Sequence, residues 1–180
     1  MINRIHILGA SGSGTTTLAK AISEKFGYRH LDTDDYFWHP TEEPFTQNRS
    51  VEERIHLLGP DLQKHDRWVL SGSLCGWGDV FIPYFDVVLF MWIPEEIRIK
   101  RLEQREWQRY GEDIVVGGKR HESYLTFMQW ASVYDHAGLE VRSRALHEEW
   151  LAALPCPVVR LEGDLGMENK LVHVAELLDI

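Results

Sequence analysis

The stretch Gly9-Ala10-Ser11-Gly12-Ser13-Gly14-Thr15-Thr16 constrains this chain more than any other. It is preceded by a short apolar run, residues 4–8, that reads as a strand. It is followed by residues 14–26, where Leu18, Ile22 and Phe26 fall at i, i+4 and i+8 and so share one helix face. A glycine loop between a strand and a helix is the setting of a phosphate-binding turn, because glycines let backbone N–H groups converge on an anion at the helix N-terminus. Against the pattern GxxxxGK(S/T), Gly9 and Gly14 fit and Thr16 supplies the hydroxyl that ligates Mg²⁺, but the lysine position is Thr15. A charge-assisted phosphate contact of about 1.5–3 kcal/mol is therefore missing from the loop. Lys20 lies beyond the anion-binding first turn of the helix. The candidate nucleotide-binding residues are Gly9, Ala10, Ser11, Gly12, Ser13, Gly14, Thr15, Thr16 and Thr17.

The same loop also fits a variant dinucleotide fingerprint, Gly9-x-x-Gly12-x-Gly14, with Asp32 near the position of a ribose-binding acid. No Tyr-x-x-x-Lys dyad accompanies it, and the basic helix described below would have no role in such a protein. Further along, residues 28–31, 68–70, 87–93 and 157–161 read as strands. The third of these is an unbroken apolar run suited to a strand buried on both faces. Ser50-Val51-Glu52-Glu53 is a capping box, Pro94 opens a helix that stops at Gly111, and further helices are expected from about residue 122 and over 168–178. Strands alternating with helices predict one α/β domain, 1–180, around a mostly parallel sheet.

The net charge of −9 argues against a general nucleic-acid partner, whose phosphates need a basic face. No apolar run approaches a membrane span, and residues 1–8 are too short for a leader, so a cytoplasmic location is expected. Cys75 and Cys156 show no metal or CxxC spacing and read as two buried thiols in a reducing compartment. The histidines show no HxxxH or HExxH spacing, and Phe127, Trp130 and Tyr134 recur at helical intervals, as core residues do.

Two features join the loop. Asp32 and Asp34 straddle the carboxyl end of the second strand, where ligands of open α/β sheets bind, and paired carboxylates suit Mg²⁺. The third strand ends in Ser71, where an aspartate often stands beside such loops, so the metal role shifts onto Asp32 and Asp34, and Thr16 and Asp32 are the candidate metal ligands. Second, Arg98, Arg101, Arg105 and Arg109 share one helical face. Residues 97–109 hold five Arg or Lys against two Glu, within a chain that is acidic overall. Guanidinium groups neutralise charge in triphosphate transfer, and Gly111, Gly117 and Gly118 after the stripe suit a closing segment. Pairs such as Arg98–Glu95 and Arg105–Glu103 on an exposed face are the plainer reading of the same stripe.

The loop, with His30-Leu31-Asp32-Thr33-Asp34 and with Phe85-Asp86-Val87-Val88-Leu89-Phe90 ahead of the arginines, resembles the adenylate-kinase and shikimate-kinase-like P-loop family. Leu31, Asp32, Phe37 and Trp38 look like the pattern of bacterial P-loop proteins known as topology-modulation proteins. The resemblance spans nearly the whole chain. It implies a three-layer α/β sandwich with a five-stranded parallel sheet in the order 2-3-1-4-5. An acceptor-binding insert would occupy about residues 37–65, a lid about residues 98–121, and a nucleotide-base loop Glu162-Gly163-Asp164. It implies that Asp32 serves the Mg²⁺ water shell, that Asp34 meets the acceptor hydroxyl, and that Arg101 and Arg105 contact phosphates in place of the missing lysine. Arg49, Arg54, Ser73 and Trp77 are the candidate acceptor-binding residues, although the aromatics of that region equally suit a core. The expected activity is ATP- and Mg²⁺-dependent phosphoryl transfer to a small-molecule acceptor, a nucleoside, nucleotide or sugar-like hydroxyl compound. A nucleotide-binding module with little turnover and a small NAD(P)-binding protein remain as alternatives.

Overall fold

The structure is a computed structural model and describes residues 2–180. Strand β1 (Arg4–Gly9) runs into the glycine loop and helix α1 (Thr15–Phe26). Gly27, in left-handed conformation, closes α1 and returns an N–H to Ser23. Next come β2 (Arg29–Asp32), the short α2 (Thr33–Phe37) and α3 (Val51–Lys64). The capping box at Ser50 is formed in both directions, with Ser50 Oγ accepting from Glu53 N and Glu53 accepting from Ser50 N. Then follow β3 (Trp68–Ser71), β4 (Val87–Trp92), α4 (Glu95–Tyr110), α5 (His121–Ser132), α6 (Arg144–Ala152), β5 (Val158–Glu162) and α7 (Met167–Leu177).

All five strands are parallel, in the order β2-β3-β1-β4-β5. The sheet is thus the doubly wound one anticipated from the family. The central strands bury both faces: Ile5, Ile7, Val69, Val87 and Leu89 pack with Leu18 and Ile22 of α1, while Leu8, Leu70, Val88 and Phe90 pack with Leu58, Leu62, Trp150 and Leu151. With β3 between β1 and β2, the connection is not that of a dinucleotide-binding half, whose first three strands lie in the order 3-2-1.

Some elements differ from the sequence reading. Helix α6 was not anticipated, although Ser143 caps it through Leu146 N and His147, Trp150 and Leu151 form its buried face. The two cysteines are half-buried and unpaired, not enclosed in the core. His6 and His147 are fully buried, held by Leu70 O and by Ser73 and Tyr134 respectively. Among the described residues, no helix is long and apolar enough to cross a membrane.

Candidate functional site

A cleft of about 1710 Å³ opens at the carboxyl ends of the strands, where the sheet's crossovers part on either side of β1. Its floor is the glycine loop, residues 9–17, every one of which lines it. Gly12 adopts φ +83°, and a Cβ there would come within 2.7 Å of the Arg98 carbonyl oxygen. Gly9 meets a similar barrier, the Met91 carbonyl at 2.5 Å. These glycines are required for the loop to lie against β4 and α4 at all. Among the described residues, the amides of Ser11, Gly12 and Gly14 donate to no protein acceptor, and Gly14 offers the first turn of α1 no side-chain cap. A row of unspent N–H groups at a helix N-terminus is an anion cradle.

Thr16 Oγ1 donates to Asp32 Oδ2 at 2.8 Å, and Ser71 Oγ donates to the same oxygen at 2.9 Å. Neighbouring strands β2 and β3 are in register at Asp32 and Ser71, which is what brings the two side chains together. His30 Nε2 lies 2.9 Å from Ser71 Oγ. Thr16 and Asp32 are thus in direct contact, and the serine at the end of β3 orients the carboxylate. Among the described residues, no group of three or more His, Cys, Asp or Glu converges as a metal cage. A cation at Thr16 and Asp32 would take few protein oxygens and fill its shell from water and phosphate, as Mg²⁺ does.

Asp34 opens the first turn of α2, where its N–H bonds Asp32 Oδ1 at 3.1 Å. By area it is open to the cleft, yet it sits deep in the concavity. Burial and then the neighbouring Asp32 raise its pKa, while Arg142 and Arg105 pull it back. Asp35 is raised for the same two leading reasons.

The arginine stripe divides. Arg101, Arg105 and Arg109 line the cleft, but Arg98 lies beneath it, fully buried. Arg98 is a structural cation. Its guanidinium donates to Ile93 O (3.1 Å), Ala131 O (3.2 Å) and Ser11 O (3.4 Å), and pairs with Asp135 at 2.7 Å. The suggested pairing of Arg98 with Glu95 does not occur. Arg101 bridges to Asp164 of the loop after β5 at 2.5 Å, and Arg105 binds its neighbour Glu106, not Glu103, at 2.9 Å. Of the cleft's cations, Lys20, Arg120, Arg142 and Lys170 form no ion pair among the described residues.

The four candidate acceptor residues part company as well. Ser73 lines the cleft. Trp77 is core and donates its indole N–H to Ser73 O at 3.2 Å. Arg54 is buried over the Phe37 ring at 3.6 Å, with no carboxylate partner among the described residues, and does not line the cleft. Arg49 donates to the carbonyls of Asp35, Tyr36 and Trp38 and braces the chain leaving α2. Its surface groove lies to one side of the main cleft.

Arg142, Lys170 and the pair Phe127 and Trp130 were missed as site residues. Phe127 and Trp130 line the cleft, whereas Tyr134 is core as expected. Helical spacing shows that residues share a face and is silent on whether that face meets a core or an opening. Arg142 stands one residue before the N-cap of α6, a helix start signalled by Ser143. It lies over the Trp130 ring at 5.5 Å.

Residues 5–124 match a family model described as an AAA domain. The chain is 50% identical to the uncharacterized protein YqaC of Bacillus subtilis, over 99% of this chain and 98% of that protein. It is 31% identical to a cytidylate kinase of Archaeoglobus fulgidus, over 63% of this chain and 65% of the kinase, so the match spans just under two thirds of that relative. In fold it is similar to shikimate kinase from Bacteroides thetaiotaomicron, with TM-score 0.58, 20% identity and complete coverage of both chains. It is also similar to the shikimate kinase of Acinetobacter baumannii solved with shikimate, with TM-score 0.57, 14% identity and coverage of 99% and 94%. The matched family and the five-stranded 2-3-1-4-5 sheet agree: this chain belongs to the family described as an AAA domain and carries the P-loop kinase fold.

Proposed function

We propose that this protein transfers a phosphoryl group from ATP to a small hydroxyl-bearing acceptor, with Mg²⁺. The observation that carries the reading is the contact of Thr16 with Asp32 at the helix N-terminus, with Asp34 beside it in the same cleft. The free amides of the glycine loop hold the β- and γ-phosphates, while Thr16 and Asp32 hold the metal. Mg²⁺ supplies charge neutralisation across the phosphate oxygens. Asp34 orients the acceptor hydroxyl and takes its proton. Its raised pKa makes it a stronger base than an ordinary carboxylate. The acceptor oxygen forms the new bond to phosphorus as the bond to the leaving diphosphate oxygen breaks. Arg142 lies close enough to Asp34 to lower its pKa and carries no ion pair among the described residues, so it serves the acceptor side.

The kinase relatives and the cleft at the strand ends support this reading. In this reading residues 37–65 wall the acceptor side, where Phe37, Trp38 and Phe45 line the cleft, and residues 98–121 serve as the lid over the phosphates. One observation favours a second reading, a nucleotide-binding module with little turnover. Thr15 carries no charge, and both lid arginines proposed to replace the lysine, Arg101 and Arg105, are engaged by Asp164 and Glu106. Release of ADP from Mg·ATP, measured with a panel of nucleosides, nucleoside monophosphates and hydroxy-acids, separates the two. Asp34→Asn removes the base without changing side-chain volume, so it should abolish acceptor-dependent release and leave ATP affinity within about twofold. Normal turnover by the variant would remove Asp34 from the chemistry.

A further inference from the structure

Ser73 follows β3 at the acceptor side of the cleft, and a buried polar chain stands behind it. Ser73 Oγ lies 3.1 Å from His147 Nε2, and His147 Nδ1 lies 2.8 Å from the Tyr134 hydroxyl. Ser73, His147 and Tyr134 are each buried. Cys75 N also donates to Ser73 Oγ, at 3.4 Å. Each of the two links to the histidine ring could run in either direction, and the supply of donors and acceptors decides between them.

The Tyr134 hydroxyl has no partner other than His147 among the described residues. If the ring donated from Nδ1, the phenol proton would be left buried without an acceptor, at a cost of about 1–3 kcal/mol. If the phenol donates to Nδ1, every group in the chain is satisfied and the ring proton sits on Nε2. His147 then donates to Ser73 Oγ, which already accepts from Cys75 N. Both acceptor directions of that oxygen are spent, and its own O–H is left for the cleft, the Cys75 sulfur beside it being only a weak acceptor. The ring stays neutral throughout, since burial lowers its pKa to about 3.

We propose that Tyr134 and His147 lock the Ser73 hydroxyl as a hydrogen-bond donor into the acceptor side of the cleft, so that the compound bound there presents an accepting oxygen, a carboxylate or phosphate, at Ser73. This rests on the reading of the cleft as a phosphotransfer site and adds the polarity of one acceptor contact. Ser73 reads the substrate; His147 and Tyr134 are positioning residues.

Two measurements on the full chain test it. In a long-range ¹⁵N–¹H spectrum, with His147 assigned by its loss in His147→Gln, the ring should carry its proton on Nε2 alone. Tyr134→Phe should mix the two tautomers. A ring protonated on Nδ1 overturns the proposal. Second, inorganic phosphate is titrated by calorimetry into protein saturated with Mg·ADP, so that the glycine loop is occupied. Ser73→Ala should weaken phosphate roughly ten- to a hundredfold, the loss of a hydrogen bond to a charged group. Ser73→Thr should retain it. Equal affinity in Ser73→Ala and the parent, or no phosphate binding by the parent, overturns the proposal. Absence of Mg·ADP binding by the parent would instead sink the phosphotransfer reading, and the tautomer result would still stand.

Discussion

Two buried histidines make this protein acid-sensitive, and the size of the effect follows from their surroundings. Burial lowers His6 from 6.5 to about 4 and His147 to about 3. Both are bases whose folded pKa is depressed, so below pH 6.5 the unfolded chain takes up two protons that the folded chain refuses. Stability therefore falls as pH drops from 6.5, and the loss levels off only as each folded ring titrates, near 4 for His6 and near 3 for His147. At pH 5 each ring costs about 2 kcal/mol, at 1.36 kcal/mol per unit, or about 4 kcal/mol together. A domain of ordinary stability holds about 5–15 kcal/mol, so this is a large share. Asp34 and Asp35, whose pKa values are raised, bind protons earlier in the folded state and offset part of the loss toward the acid end. The assay is urea unfolding at pH 7.5 and pH 5 for the parent and His6→Gln, which can keep the contact to Leu70 O. The parent should lose about 4 kcal/mol and the variant about 2 kcal/mol between those values. An identical loss in both proteins, or none in the parent, would refute the reasoning.

Three further outcomes are expected. Thr15→Lys should partly restore a rate lost in Arg105→Ala, measured by steady-state kinetics of the two single variants and the double; strictly additive effects would mean the lid arginine does not replace the lysine. Arg98→Met, leaving the half-buried Asp135 without its cation and with only the Trp92 indole N–H as partner, should lower stability by about 3 kcal/mol in chemical unfolding, and a loss under 1 kcal/mol would contradict the structural role. Arg142→Ala should weaken an anionic acceptor found in the panel at least tenfold while leaving ATP affinity unchanged, as read by calorimetry; a neutral acceptor bound equally by both proteins would place Arg142 outside the acceptor site.

Period and punctuation made the fold legible. The apolar run over residues 87–93 could only be a doubly buried strand, and it is β4. The capping box at Ser50 and the stop at Gly111 set helix ends to within a residue. The glycine loop was legible for a stronger reason, since its spacing serves both packing and anion binding. What stayed hidden is what a helical face meets. Arg98 and Arg101 fall on one stripe, yet a single turn separates a fully buried cation from one at the surface, because the buried face of α4 runs through Arg98, Leu102 and Glu106, at i, i+4 and i+8, while Arg101 and Arg105 lie beside that row and face the cleft. Arg54 and Arg49 looked like anion receptors by charge. Their partners are an aromatic ring and backbone carbonyls, which no charge pattern encodes. Arg142 is remote in sequence from every motif and meets Asp34 only through the folded path of the chain.

The approach of Gly12 to the Arg98 carbonyl has a consequence for how such loops change over time. A side chain at Gly12 would force apart the seam between the first turn of the sheet's crossover and α4, whether or not a nucleotide ever binds. Position 15 faces open cleft and supports no neighbour in this way. Lysine and threonine can therefore be exchanged at 15 without unfolding the chain, while the glycine at 12 is pinned by mechanics alone. The glycines of this loop testify to architecture; the residue at 15 is where a change of chemistry is first written.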